Sequence, residues 1–261
     1  MQDSGFLDVP NARLYYEVGG AGPAVVFVHG FTLDARMWDD QWMVFGERYR
    51  VVRYDLRGFG RSEAEPVPYS DLDDLLVLLN CLDIERAHLV GLSMGGMVLV
   101  HFALMHPRRA RGLVVADCGP SGLTGPVDAL SDAEELAVAG RMAEALDNWL
   151  ASPVFVPARE RPGVAARLQE IVSDYRWWRA RHPGLRRGLQ PPAAGHLHEI
   201  SAPTLVIVGE RDVPRVQAAS KALATGIRGA RLVVLPGVGH MSNMEDPEAF
   251  SSAVLSFLAE L

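Results

Sequence analysis

The sequence predicts an α/β fold: a mostly parallel, eight-stranded sheet flanked by helices, with a helical insertion. Three observations lead there. Short runs rich in β-branched residues recur along the chain and stop at a turn-forming or acidic residue. Helical patterns fill most of the intervals. One long stretch, 121–198, carries helical pattern without a convincing strand.

The first two strands are read at 5–9 and 12–18, on either side of Pro10-Asn11. They alternate apolar and polar residues, as an antiparallel hairpin at a sheet edge does. The next runs are 24–28 (AVVFV), 50–54 (RVVRY), 87–90 (AHLV), 112–116 (GLVVA), 204–208 (TLVIV) and 231–235 (RLVVL). Such short, nearly unbroken runs suit strands covered on both faces of a parallel sheet. Leu72, Leu75, Leu76, Leu79 and Leu82 share one helical face between Tyr69 and Asp83. Residues 94–105 are apolar on nearly every side, which predicts a central helix stopped by Pro107. Helices at 214–224 and 247–260 complete the core. The last is opened by Asp246 as N-cap and Pro247 at its first position. Within the insertion, helical patterns run at 131–151 and 162–181, separated by the proline-containing Ser152–Pro162, with a shorter one after Pro183. A loop of that length would be exceptional. Residues 121–198 are therefore read as a cap over one edge of the sheet, on a core of 1–120 and 199–261.

Composition bounds what such a fold can do. The chain has 261 residues and a mass of 28.5 kDa. At that size it should expose about 11,000 Å² folded, against about 41,000 Å² unfolded. With 49% hydrophobic and 22% charged residues, a disordered, collagen-like or coiled-coil chain is excluded. No apolar stretch approaches the roughly 18 residues that would read as a membrane span. The opening Met1-Gln2-Asp3-Ser4-Gly5 lacks a basic head and an apolar segment, so no secretory signal and no membrane partner are expected. The net charge is −7, and Lys221 is the sole lysine. The densest basic patch, Arg176–Arg187, is interleaved with Trp177 and Trp178 but stands in an acidic chain without a binding motif, so no nucleic-acid partner is expected. Cys81 and Cys118 lack metal-ligand spacing. They are read as buried thiols in a reducing, cytoplasmic setting.

Gly91-Leu92-Ser93-Met94-Gly95 follows a buried strand and opens an apolar helix. That is the setting a G-x-S-x-G nucleophile elbow requires. The sharp reversal strains the backbone at Ser93 and exposes its hydroxyl, and side chains at 91 and 95 would obstruct the turn. A serine hydroxyl needs a base. Among eight histidines, His240 lies in the glycine-rich Gly237-Val238-Gly239-His240 just after the last strand, where it can reach back across the sheet edge. His88 is placed in a strand, and His101 and His106 lie on the helix leading away from the elbow. His196 and His198 form an H-x-H without a third ligand, so no metal is expected. His182 lies in the cap, free to touch substrate. A carboxylate must orient the imidazole. Asp212, immediately after a strand end, is preferred; Asp117, at the end of the strand after the elbow helix, is the rival. Oxyanion donors are read as the backbone N–H groups of Met94 and of Phe31, the latter in His29-Gly30-Phe31 after the strand at 24–28. Phe31, Met94 and Met241, with the cap residues Trp149 and Trp177, are read as an apolar acyl pocket.

Together these residues resemble an α/β-hydrolase. The chain order Ser93, Asp212, His240 matches that superfamily, and the resemblance spans almost the whole chain. The segment 55–62 (DLRGFGRS) is similar to the superfamily's turn after its fourth strand and is taken as structural. Lidded carboxylesterases are most similar, together with cofactor-free enol-lactone hydrolases through residues 91–97 (GLSMGGM) and 240–245 (HMSNME). The resemblance implies a serine hydrolase that cleaves a small carboxylic ester or lactone through an acyl-enzyme, without a cofactor. It leaves three alternatives on the same scaffold: a C–C bond hydrolase, a cofactor-free perhydrolase and a hydrolase-like small-molecule receptor. A homodimer is left open.

Overall fold

Buried, β-branched runs form the sheet, and the polar and glycine residues that end them form the loops at its carboxyl edge. The computed structural model describes residues 3–123, 128–188 and 190–261. Its strands are β1 (Asp3–Val9), β2 (Ala12–Gly20), β3 (Ala24–Val28), β4 (Arg50–Tyr54), β5 (Glu63–Ala64), β6 (Ala87–Leu92), β7 (Ala110–Ala116), β8 (Thr204–Gly209) and β9 (Arg231–Leu235). Its helices are α1 (Asp39–Gly46), α2 (Asp71–Cys81), α3 (Met94–Met105), α4 (Asp128–Val138), α5 (Met142–Leu150), α6 (Val156–Arg159), α7 (Pro162–Ser173), α8 (Trp178–Arg181), α9 (Pro214–Gly226), α10 (Ser242–Glu245) and α11 (Pro247–Leu258).

The eight expected strands form one path in the order β1-β2-β4-β3-β6-β7-β8-β9. A ninth, the two-residue β5, pairs with β2 and was not foreseen, because two residues carry no periodicity. β2 runs antiparallel to both β1 and β4, and all pairs from β4 to β9 are parallel. Every residue of β3, β6 and β8 is buried, which explains their unbroken apolar sequences. The last edge differs: β9 exposes Leu232 and Val234. α1 packs with α11, and α2 packs with α3. The exposed surface is 11,093 Å², as expected of a well-buried core.

β3 and β6 are neighbours, with β4 beyond one and β7 beyond the other. The chain thus steps outward in opposite directions from this pair. Loops leaving the carboxyl ends of two such strands diverge and open a crevice between them.

Between β7 and β8 the chain leaves the sheet as an inserted helical cap, α4 to α8. The pattern read as one helix at 131–151 is two, broken at Gly140 with φ of 80°. The pattern at 162–181 breaks where Trp177 adopts φ of 53°. The short helix expected after Pro183 is replaced by single 3₁₀ turns at Ala193–Gly195 and Leu197–Glu199. A lone parallel bridge joins Arg186 of the cap to Tyr69 of the core. No helix among the described residues is long and apolar enough to cross a membrane. Cys118 is buried as expected; Cys81 is exposed, because it closes α2 on the solvent side.

Candidate active site

The elbow is the strained point of the backbone. Ser93 stands between β6 and α3 with φ 53° and ψ −115°, a conformation costly for a residue with a side chain. A Cβ on Gly91 would lie 2.7 Å from the Gly95 carbonyl carbon, across the turn. A Cβ on Gly95 would lie 2.2 Å from the Val28 oxygen, so glycine there lets α3 start against the end of β3. These contacts press the serine into the crevice between β3 and β6.

Two later loops converge on it. His240, in the loop after β9, has Nε2 3.0 Å from Ser93 Oγ and Nδ1 2.8 Å from Asp212 Oδ2. Asp212, in the loop after β8, also accepts from the Val213 N–H at 2.7 Å. The structure brings Asp212, not Asp117, to the imidazole. Burial alone would lower the His240 pKa. The charge and hydrogen bond of Asp212, aided by Asp117 and Glu245, outweigh it and raise the pKa above 6.5. His29, buried completely, and His88 and His101 are pushed down to about 4, chiefly by burial, and stay neutral.

Asp117 takes a different post. Its Oδ1 accepts from the Gly209 N–H at 2.8 Å, and its Oδ2 bonds the Ser242 hydroxyl. Burial first, and then the charge of Asp212, push its carboxyl well above the usual range. Asp117 thereby joins the acid-bearing loop to the start of α10, just beyond the base. Glu245, at the other end of α10, accepts from the Gly239 N–H at 2.7 Å and from the Met241 N–H at 3.1 Å, bracketing His240. Its partner is Arg161 of the cap, at 3.2 Å. Sequence reasoning missed these supports, although 240–245 was the right place to look: a glutamate five residues past the base is the visible signal.

On the opposite wall, His29 accepts from the Leu56 N–H at 2.9 Å through Nε2, and its Nδ1 donates to the Gly30 carbonyl at 2.7 Å. Both nitrogens are thus committed to holding the loop that carries Phe31. Met94 opens α3, so its N–H has no carbonyl within the helix to receive it. Phe31 and Met94 line one cleft with Ser93 and His240, about 420 Å³ in volume. Trp149 and Met241 line it too, with Phe155 and Met97. The Trp149 Nε1–H donates to Thr32 Oγ1 at 2.7 Å, fixing the ring over the cleft. Trp177 does not line it. It is buried against Tyr175 and faces a separate cavity with Arg176 and Met142. His182 does line the cleft, its Nδ1 donating to the Trp178 carbonyl. His196 pairs with Glu199 instead, and no cluster of three or more potential metal ligands occurs among the described residues.

A serine on a strand-to-helix elbow at the switch point of a parallel sheet, with an imidazole and a carboxylate delivered from the two outer strands, defines a hydrolase of the α/β class. The chain belongs to the alpha/beta hydrolase family, whose model matches residues 25–253. A hydrolase from Pseudomonas aeruginosa PA01 is 34% identical, with each chain covered to 98% and a TM-score of 0.86. The enol-lactonase from Burkholderia xenovorans LB400 is 29% identical, covering 98% of this chain and all of its own, also with a TM-score of 0.86. A non-heme haloperoxidase from Rhodococcus erythropolis is 29% identical over 94% of this chain and 96% of its own length.

Proposed function

We propose that the protein is a carboxylic ester hydrolase that cleaves a small ester or lactone through an acyl-enzyme on Ser93. The observation that carries the reading is the unbroken chain from Ser93 Oγ to His240 at 3.0 Å and from His240 to Asp212 at 2.8 Å, at a cleft that Ser93 and His240 both line. His240 takes the Ser93 proton as the oxygen attacks the carbonyl carbon. The N–H groups of Phe31 and Met94 receive the oxyanion, each worth roughly 2.7–4 kcal/mol in the transition state. His240 returns the proton to the leaving oxygen, then draws a proton from water as it attacks the acyl-enzyme. Asp212 stays ionised and holds the imidazole orientation. The relationship to the enol-lactonase from Burkholderia xenovorans supports a lactone or an ester as substrate.

A second reading, acyl transfer to hydrogen peroxide on the same serine, is favoured by the likeness to the Rhodococcus haloperoxidase. It is distinguished by peracid release when peroxide is supplied. We further infer a cap bounded at 121–198 on a core of 1–120 and 199–261, a cytoplasmic location in keeping with the unpaired Cys81 and Cys118, and a small molecule rather than nucleic acid as partner.

The test is direct. A fluorophosphonate is expected to label Ser93, and Ser93→Ala to lower p-nitrophenyl ester turnover by about a million-fold with the fold retained. A label found on another residue, or turnover surviving in a clean Ser93→Ala preparation, defeats the assignment.

A further inference from the structure

The arginine-rich stretch at 176–187 finds a use where it meets the cleft. Arg179 and Arg186 line the same cavity as Ser93 and Met94. Both reach Asp71 at the start of α2: Arg179 Nη2 donates to Oδ1 at 2.8 Å, and Arg186 Nε to Oδ2 at 2.5 Å. The Asp71 side chain is 1% exposed and that of Arg179 only 9%. Two guanidinium groups therefore share one carboxylate, leaving a net positive charge in a largely desolvated wall.

Their remaining donors are poorly served. Arg179 Nη1 meets the thioether of Met94 at 2.9 Å, a weak acceptor. Arg179 Nε and Arg186 Nη2 are buried with no hydrogen-bond partner. The guanidinium of Arg179 lies over the Phe59 ring at 4.6 Å, which closes its flank. The Tyr69 ring, on the same wall, lies 5.8 Å from the Arg179 guanidinium. Glu134, another carboxyl of this cleft, makes no ion pair with either arginine among the described residues, and burial favours its protonated form. Gluing the cap to the core would need only one arginine on Asp71. The second overcompensates the charge, and a buried donor left unpaired is costly. The bridge between Arg186 and Tyr69 holds this arrangement in place: the Tyr69 N–H donates to the Leu185 carbonyl at 2.9 Å, and the Arg187 N–H to the Tyr69 carbonyl at 2.8 Å.

We propose that Arg179 and Arg186 form an anion subsite of the cleft and that the preferred substrate is an ester or lactone carrying a free carboxylate a short chain away from the scissile carbonyl. The missing group must be an anion, since a neutral acceptor would satisfy an N–H and leave the excess charge. A carboxylate suits it, being the planar acceptor that guanidinium pairs with best. The contact of Arg179 with Met94, the residue after the nucleophile, sets the short spacing. The inference deepens the hydrolase reading and rests on it for the identity of the reacting end.

Binding separates the two. Monomethyl glutarate and dimethyl glutarate are titrated by calorimetry into the full-length Ser93→Ala protein, which cannot turn them over. The acid ester is expected to bind about tenfold to a hundredfold more tightly, the range of a charge-assisted hydrogen bond. Adding Arg186→Gln or Arg179→Gln should bring the ratio close to one, and Arg176→Gln, outside the cleft, should leave it unchanged. If Arg179→Gln fails to fold, Arg186→Gln decides, because it leaves the Asp71–Arg179 pair intact. Equal binding of the two esters overturns the subsite, as does a preference that survives Arg186→Gln. Turnover of neither ester by the native enzyme, without labelling of Ser93, would count against the hydrolase reading alone; the calorimetric ratio would still decide the subsite.

Discussion

At Ser93, φ is 53° in a residue that has a side chain, and the cost is met by glycine at 91 and 95 and by buried strands on both sides. The two carboxylates near His240 show how environment divides labour. Asp212 faces the imidazole at 2.8 Å, whereas Asp117 is buried behind it with its proton affinity raised. Asp212→Asn should therefore lower kcat by roughly 10⁴, since an amide stabilises the wrong imidazole tautomer. Asp117→Asn leaves the Asp212–His240 pair in place and alters only hydrogen bonds behind it, each worth about 0.5–1.5 kcal/mol, so it should cost less than about tenfold. Steady-state turnover of p-nitrophenyl acetate ranks the two, and the reverse order would reassign the orienting acid to Asp117. The pH dependence follows from His240, whose pKa stands above 6.5. As the base it must be neutral, so kcat/KM should rise through a midpoint above 6.5. Its contribution to stability runs the other way: present in full below 6.5, and lost as pH rises through the folded-state pKa. With His29, His88 and His101 near 4, none of these three confuses that limb. A midpoint below 6.5 would show that Asp212 does not stabilise the imidazolium.

Between elements, the site depends on how closely two loops approach. A Cβ on Gly209, at the end of β8, would lie 2.2 Å from the Gly239 oxygen, a backbone atom that cannot swing aside. Gly209→Ala is expected to push the Asp212 loop away from the His240 loop, reducing kcat at least about tenfold and the melting temperature by several degrees. Wild-type turnover in the alanine variant would mean that the loops are not mutually wedged. The elements themselves were legible where burial is symmetric: β3, β6 and β8 are covered on both faces, so their sequences are continuous and their ends abrupt. The elbow and its two partners were legible because each lies just past such a strand. What sequence could not show depends on tertiary placement. The two residues of β5 are defined only by their partners on β2. Gly140 and Trp177 break helices whose apolar pattern continues past them. Trp149 and Trp177 look alike in sequence, yet one reaches Thr32 at the cleft and the other packs under Tyr175. Asp117 accepts from the Gly209 N–H, 92 residues away in sequence, and no residue pattern announces such a contact.

At the scale of the molecule, the question is what holds the cap on the core. Exposed or half-exposed ion pairs join them at Arg36 with Asp174, Arg167 with Asp40, Arg211 with Glu160 and Arg161 with Glu245, and a buried cluster joins Arg179 and Arg186 to Asp71. The Arg211–Glu160 pair is 41% and 50% exposed, and Asp174 is 60% exposed; pairs of that kind contribute about 0–1 kcal/mol each and are screened by salt. Aromatic contacts are the other candidate. Tyr175, just past α7, stacks on Phe59 at 4.9 Å and meets the edge of Phe31 at 5.5 Å, while Trp149 packs against Phe31 and Phe155. Such pairs contribute about 0.5–1.5 kcal/mol beyond their burial and are indifferent to ionic strength. The aromatic group should therefore outweigh the exposed pairs, and the buried Asp71 cluster is shielded from salt. Hydrogen exchange of the α5 and α7 amides should change little when salt is raised to about 1 M, where the Debye length falls to about 3 Å. Tyr175→Leu should speed that exchange and raise KM, because Tyr175 backs Phe31, which lines the cleft, while the amides of β3, β6 and β8 keep their protection. If instead salt alone frees the cap and Tyr175→Leu does not, the ion pairs are the anchor, and the closure of the cleft over Ser93 is governed by charge rather than by packed rings.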